Sequence, residues 1–320
     1  MTQIFDNAVA SLRLGIEDFK TGNDDRMLSA ARNYYAGLLL LAKECLVKEV
    51  PKADAMEVIG AKFKPKPDGE GGVVHVPEGY TTVDLNQLKK RFNDFGLNWP
   101  NADIKKLQEF RNDLEHLHLK EPVSLLKEAI ASSFPMIVDF FAILKENPKS
   151  HLKTAWDTVL SEHKEFVKAQ TACVESLEKV EWPANVCRLD RLSCPSCKSS
   201  LVGQENVDNI SHKNVVGICS QCGEEIDFAA MMQIIVEASY GYNTYSIVKD
   251  GGEPPVTACP ECSEETYVEE GEVSVCFNCG ESVAGECANC NQSVSVNDWH
   301  YEYSDLCSYC GHMAEKAMRE

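Results

Sequence analysis

Apolar side chains recur at helical spacing along most of the first 150 residues. Phe5, Val9, Leu12, Ile16 and Phe19 fall three or four apart over 4–19, the stripe of an amphipathic helix, and Gly22 supplies a stop. Asp24 or Asp25 offers the N-cap of a second, longer helix through RMLSAARNYYAGLLLLAKECLV, whose broad apolar face predicts deep burial; Pro51 follows it. Residues 60–80, GAKFKPKPDGEGGVVHVPEGY, break the pattern. Five glycines and three prolines around VVHV predict a surface loop or small hairpin. Lys62, Lys64, Lys66 and His75 there are candidate contacts to RNA phosphates, with a plain solvated loop as the alternative. Thr82 or Asp84 caps a third helix with Leu85, Leu88, Phe92 and Phe95 on one side, and Gly96 and Pro100 interrupt it. A fourth helix starts near Ala102 and contains RNDLEHLH, residues 111–118; a further helix covers Ser124 to about Glu146.

Residues 149–181 predict one long helix. Leu152, Trp156, Val159, His163, Phe166, Gln170, Cys173, Leu177 and Val180 alternate at spacings of four and three, a heptad seam with two polar positions. At 1.5 Å per residue such a helix is ~45–50 Å long. It serves either as a self-pairing coiled coil or strut, or as a helix packed along its predecessors. Trp182-Pro183 ends it.

Beyond this point the cysteines dominate. Twelve of the fifteen form six C-x-x-C pairs, all after residue 193. Cys194/Cys197 and Cys219/Cys222 are separated by 21 residues, Cys259/Cys262 and Cys276/Cys279 by 13, and Cys287/Cys290 and Cys307/Cys310 by 16. Two facing C-x-x-C turns supply four thiolates in the tetrahedral arrangement that suits Zn(II). CPSC, CPEC, SQCG and FNCG carry the Pro and Gly of tight turns. The expectation is a row of three zinc ribbons paired in sequence, although the second pair of one unit can in principle join the first of another. Four thiolates leave no open coordination position, so these zincs are read as structural. Cys45 and Cys173 read as small buried apolar residues; Cys187 has no clear role.

Composition narrows the class. Hydrophobic content of 44% and charged content of 25% are ordinary for a globular protein, and no apolar run approaches the ~18 residues of a membrane span. MTQIFDNAV has neither a basic start nor an apolar signal core, so the expected location is cytoplasmic, where fifteen cysteines rarely mean disulfides. The formal charge of −19 is uneven: residues 1–182 hold 24 Lys and Arg against 28 Asp and Glu, and residues 183–320 hold 7 against 22. Each zinc–tetrathiolate centre deepens the acidity of the second part by two charges. Phosphate attraction there is poor, so a protein partner or trigger, or self-association, is the expected use of the ribbons. Tyr240, Tyr242, Tyr245, Trp299, Tyr301 and Tyr303 serve either that surface or the small ribbon cores.

RNDLEHLH carries the remaining chemistry. With Leu107 at zero and 100° per residue, Leu107, Phe110, Leu114 and Leu117 share the core face, Arg111 and His118 lie at one edge, and Asn112 and His116 lie on the far side. Arg111 and His116 are thus about 140° apart on an ideal helix. An arginine fork holds a phosphate bidentately, and a histidine moves the proton of a 2′-hydroxyl or of a leaving 5′-oxygen. The plainer alternative is a polar face with Arg111 paired to Glu115 at i,i+4.

Arg111-Asn112-Asp113-Leu114-Glu115-His116 resembles the R-x4-6-H signature of HEPN-domain ribonucleases, and the long helix AARNYYAGLLLLAKECL is similar to that family's second helix. The resemblance covers residues 1 to about 150. It implies an all-helical domain that dimerises and places the motifs at a shared cleft. It also implies metal-independent cleavage of RNA with Arg111 and His116 as the catalytic pair and Asn112 as the polar residue that often follows the Arg. Many family members act in toxin–antitoxin, abortive-infection and CRISPR-linked defence. One subfamily carries a modifiable Tyr two residues after the His; this chain has His118 there, as an auxiliary base or phosphate contact.

The combined expectation is a mainly α protein: a HEPN-like bundle over 1–148, a long helix over 149–182, a first ribbon with a following helix over 183–250, a second ribbon over 251–284 and a third over 285–320. Its expected function is that of a homodimeric endoribonuclease, a toxin or antiviral effector regulated through an acidic zinc-ribbon tail. The alternative is a catalytically inactive HEPN and zinc-ribbon adaptor for protein or nucleic acid.

Overall fold

The computed structural model describes residues 2–102, 104–116, 123–282, 285–298, 300 and 302–319. The chain is mainly helical with small antiparallel sheets and divides into two compact units, Met1–Val167 and Lys168–Glu320.

The first unit begins with α1 (Gln3–Thr21) and α2 (Asp24–Glu49). Thr2 caps α1 by accepting from the Phe5 N–H at 3.3 Å, and Gly22 ends it with φ 67°. The cap of α2 is Asn23, whose side chain accepts from Asp25 N, one residue ahead of the aspartates the sequence pointed to. The two helices approach closely: a Cβ on Gly15 would lie 2.7 Å from Tyr34 N, and one on Gly37 would lie 2.6 Å from Leu12 Cγ. Phe5, Leu12, Ile16 and Phe19 of α1 are buried against α2.

Next come α3 (Ala55–Ile59) and the hairpin of β1 (Phe63–Pro67) and β2 (Val73–Pro77). Its register pairs Lys64 with Val76, Pro65 with His75 and Lys66 with Val74. Because side chains alternate across a strand, Lys64 and Lys66 share one face and His75 lies on the other, so the four candidate phosphate contacts of this segment do not form one surface. Then follow α4 (Leu85–Asp94), α5 (Lys105–His116), α6 (Val123–Leu144) and α7 (Pro148–Leu152). Asp84 closes a capping box with Gln87 at the start of α4. One continuous apolar core joins these helices, with Tyr34, Phe92, Phe140 and Phe141 among its largest members.

The predicted helix over 149–181 is interrupted. α7 stops at Lys153, which has φ 54°, and α8 runs Thr154–Glu178. Its seam is covered by its own chain. Ala155, Trp156 and Val159 join the first core, and His163 Nδ1 lies 2.8 Å from Ala131 O with its ring stacked on Phe134. Further along, in the second unit, Val174 and Leu177 of α8, with Val180 just beyond it, join another core.

That second core surrounds β3 (Val202–Gln204), β4 (Gly217–Cys219), β5 (Glu225–Ile226) and α9 (Phe228–Ser239). A short α10 (Thr244–Lys249) leads to a second sheet of β6 (Val256–Thr257), β7 (Tyr267–Glu270) and β8 (Val273–Cys276), and Val268 and Phe277 share the core around α9. The chain closes with β9 (Gly285–Glu286), β10 (Ser293–Val294) and α11 (Ser308–Arg319). Tyr240 is a core residue with its hydroxyl donating to Asn185 O, whereas Tyr245 is exposed and Tyr242 lies under the Arg188 guanidinium. Tyr303 is half-buried and packs beside His300; Trp299 and Tyr301 lie outside the described residues.

Candidate functional site

Two kinds of site stand out, one in each unit. In the first, α5 carries RNDLEHLH. The core side anchors it: Leu107 and Phe110 are buried, and Lys106 Nζ lies 3.0 Å from Glu128 Oε1 of α6, a carboxylate only 4% exposed. This leaves Arg111 half-buried at the edge of the helix, its Nη1 donating to Asn112 Oδ1 at 3.1 Å. His116 is the last residue of α5; its side chain, those of Leu114 and Glu115, and all of Leu117 and His118 lie outside the described residues.

Arg111 lines a cavity of about 550 Å³ between α2, the start of α4 and α5. Among its described lining residues are three cations, Arg32, Lys43 and Arg111, and one carboxylate, Asp84, and Ala36, Leu39, Leu40 and Val83 form an apolar wall. Lys43 Nζ donates to Thr82 Oγ1 at 2.9 Å. Burial lowers the pKa of Lys43. Burial likewise holds the Tyr35 phenol above its ordinary value, an effect that the Arg111 guanidinium partly offsets. A half-enclosed cavity with converging cations and an apolar wall fits a phosphate ester whose organic part lies against carbon. Sequence reasoning selected Arg111 but missed Arg32, Lys43 and Thr82, which with Arg111 span residues 32–111 and carry no shared motif.

In the second unit the chain gathers Cys194, Cys197, Cys219 and Cys222; Cys259, Cys262, Cys276 and Cys279; and Cys287, Cys290, Cys307 and Cys310, the sulfurs of each group lying within 4.8 Å of one another. Measured edges are 3.8 Å for Cys194–Cys222, 3.6 Å for Cys197–Cys219, 3.6 Å for Cys259–Cys279, 3.7 Å for Cys262–Cys276 and 3.8 Å for Cys290–Cys307. Four sulfurs ~2.3 Å from one ion stand ~3.8 Å apart in a tetrahedron. The clusters therefore have metal-binding geometry, with a closed donor set.

Local backbone chemistry builds them. In five of the six turns the N–H of the residue four past the first Cys donates to that Cys carbonyl, and that residue has positive φ: Lys198, Gly223, Ser263, Gly280 and Asn291. The first Cys N–H then donates one residue further on, as Cys276 N does to Glu281 O at 2.7 Å. The sixth turn, Cys307 to Cys310, instead opens α11, with Gly311 N donating to Cys307 O at 2.9 Å. Amide side chains add to this. Asn278 Nδ2 lies 3.5 Å from Cys262 Sγ, and Asn289 Nδ2 lies 3.3 Å from Cys310 Sγ. Both occupy the third position of a C-x-N-C turn, CFNC and CANC, a signal present in the sequence. Backbone N–H donation, from Cys307 first, brings the Cys287 thiol down to about 6. Cys45 and Cys173 are buried outside the clusters, and the exposed Cys187 exchanges backbone and thiol hydrogen bonds with Ser239. No helix is long and apolar enough to cross a membrane among the described residues.

No protein-family model matches this chain, and neither a curated protein nor a solved structure matches it.

Proposed function

We propose that the protein is a metal-independent endoribonuclease of HEPN type whose zinc-ribbon tail regulates it. The observation that carries this reading is Arg111, at the head of an R-x4-H sequence on α5, lining a cavity with Arg32 and Lys43 and held by the neighbouring Asn112 side chain. A guanidinium in that setting binds a phosphodiester and offsets the charge that builds on its oxygens in the transition state. The 2′-hydroxyl of the RNA attacks phosphorus as His116 takes its proton, the P–O5′ bond breaks, and the 5′-oxygen leaves with a proton from the site. The products are a 2′,3′-cyclic phosphate and a 5′-hydroxyl, and the nucleophile belongs to the substrate, so the step uses no activated water. The angular separation of Arg111 and His116 on one helix favours a homodimer with a shared cleft, where Asn112 and His118 assist. Zn(II) is the proposed occupant of each tetracysteine cluster, as a structural ion. A cytoplasmic toxin or defence effector, triggered by a protein partner at the acidic tail, is the cellular role this reading gives.

The test is RNA cleavage by wild type, Arg111→Ala and His116→Ala without added divalent metal, alongside growth arrest on expression in cells. Cyclic-phosphate products from wild type, reduced at least ~100-fold in either variant, support the reading. Equal cleavage by all three sinks the mechanism. No cleavage and no growth arrest by any favours the alternative, an inactive adaptor that displays its ribbons to a partner.

A further inference from the structure

Lys43 differs from the other cations of the cavity in its surroundings. It stands in the C-terminal half of α2, half-buried, and its hydrogen-bond partner is the neutral Thr82 hydroxyl. Among the described residues no carboxylate forms an ion pair with it. Asp84 lines the same cavity, but its carboxylate accepts from Gln87 N at 2.9 Å to cap α4. A partly desolvated ammonium without a counter-ion is unfavourable, and such groups cluster where a ligand supplies the missing charge. The cavity around it has the charge and shape for an anion: among its described lining residues are three cations and one carboxylate, with Ala36, Leu39, Leu40 and Val83 as an apolar side.

We propose that Lys43, oriented by the Thr82 hydroxyl, is a phosphate ligand in this cavity and holds a backbone phosphate of the RNA on which Arg111 acts. The choice of RNA rests on the ribonuclease reading; the anion site itself rests on the cavity. Lys43 is a binding residue, not a proton carrier. Its ammonium replaces water on a phosphate oxygen, and the adjoining sugar and base lie against Ala36, Leu39, Leu40 and Val83. The lysines of the β1–β2 hairpin offer a contrast, since that hairpin is exposed and its register splits Lys64 and Lys66 from His75.

The experiment measures binding of the full-length protein to a fluorescein-labelled RNA methylated at every 2′-oxygen, which cannot be cleaved, by anisotropy across a salt series. Lys43→Met should bind about tenfold more weakly, with a slope of log affinity against log salt smaller by about one. Lys43→Arg should stay within about threefold of wild type and Lys64→Met within about twofold. The melting temperature of Lys43→Met should hold or rise, because a desolvated charge is removed. Inorganic phosphate provides a second reading on the folded wild type: it should compete with the RNA and raise the wild-type melting temperature but not that of Lys43→Met. Equal affinity and equal salt slope for wild type and Lys43→Met overturn the proposal, as does a wild type that binds neither RNA nor phosphate. Lys43-dependent binding without any cleavage of unmethylated RNA leaves the phosphate site standing and removes the ribonuclease reading. Arg111-dependent cleavage that is indifferent to Lys43 does the reverse.

Discussion

The two units keep their shape by different means. Residues 1–167 share one apolar core that takes side chains from α1 through the first turns of α8. Among the described residues of 168–320, the buried apolar side chains fall into three clusters. The first ribbon shares α9 and Phe277 with the second. Among the described residues, the core around the third cluster is Cys287, Val294, Cys307 and Cys310 with Leu306 packed on it, so three of those four belong to the cysteine cluster itself. Burying one Leu or Phe contributes roughly 1.5–3 kcal/mol, a gain the bundle repeats many times. The bundle is held by the hydrophobic effect; at the third cysteine cluster the expectation is that ligand bonds to a bound ion supply folding free energy.

The largest expected effect breaks the comparison at its weak end. Removing metal with a strong chelator, or making Cys307→Ser, should unfold residues 285–320. Limited trypsin digestion should then cut at Lys316 while the helical circular dichroism of the first unit persists; the native mass of the untreated protein should show three bound ions, and Cys307→Ser two. An intact third ribbon after metal loss would contradict the contrast. Next, Phe140→Ala empties part of the single core and should cost the first unit ~3–5 kcal/mol in urea denaturation while all three ions stay bound. A smaller effect belongs to the capping box: Asp84→Ala should lower the stability of the first unit by ~1 kcal/mol, read in the same titration. The smallest tests the ribbons against one another. Asn289→Ala removes an amide donor to Cys310 Sγ and should speed metal loss to a chromogenic chelator several-fold at the third cluster only; an unchanged rate would show that this amide does not bear on the ion.

Much of this was readable beforehand, for local reasons. The stripe from Phe5 to Phe19, the stop at Gly22 and a cap for α4 at Thr82 or Asp84 are set by neighbours within a turn or two. So is the C-x-x-C turn, which in five of the six cases pairs its two cysteines with one residue of positive φ. Where that residue is Gly223 or Gly280 the need is visible in composition; at Lys198, Ser263 and Asn291 it is not. The break at Lys153 was hidden because the heptad spacing runs straight through it. α11 was missed because the C-x-x-C pattern masks a helix that starts inside it.

The sequence by itself determined which twelve cysteines form C-x-x-C turns, that a helical region precedes them, and that the charge falls on the second part, since spacing and composition are properties of the chain alone; which turns face each other it left open. Tertiary structure decided the rest. The heptad seam reads the same for a partner helix as for the chain's own core, and only packing shows that the chain covers it. RNDLEHLH places Arg111 at a helix edge, but Lys43, Thr82 and Arg32 come to that edge from 29 to 79 residues away. No local pattern encodes such a meeting, because it depends on the angles at which α2, α4 and α5 pack.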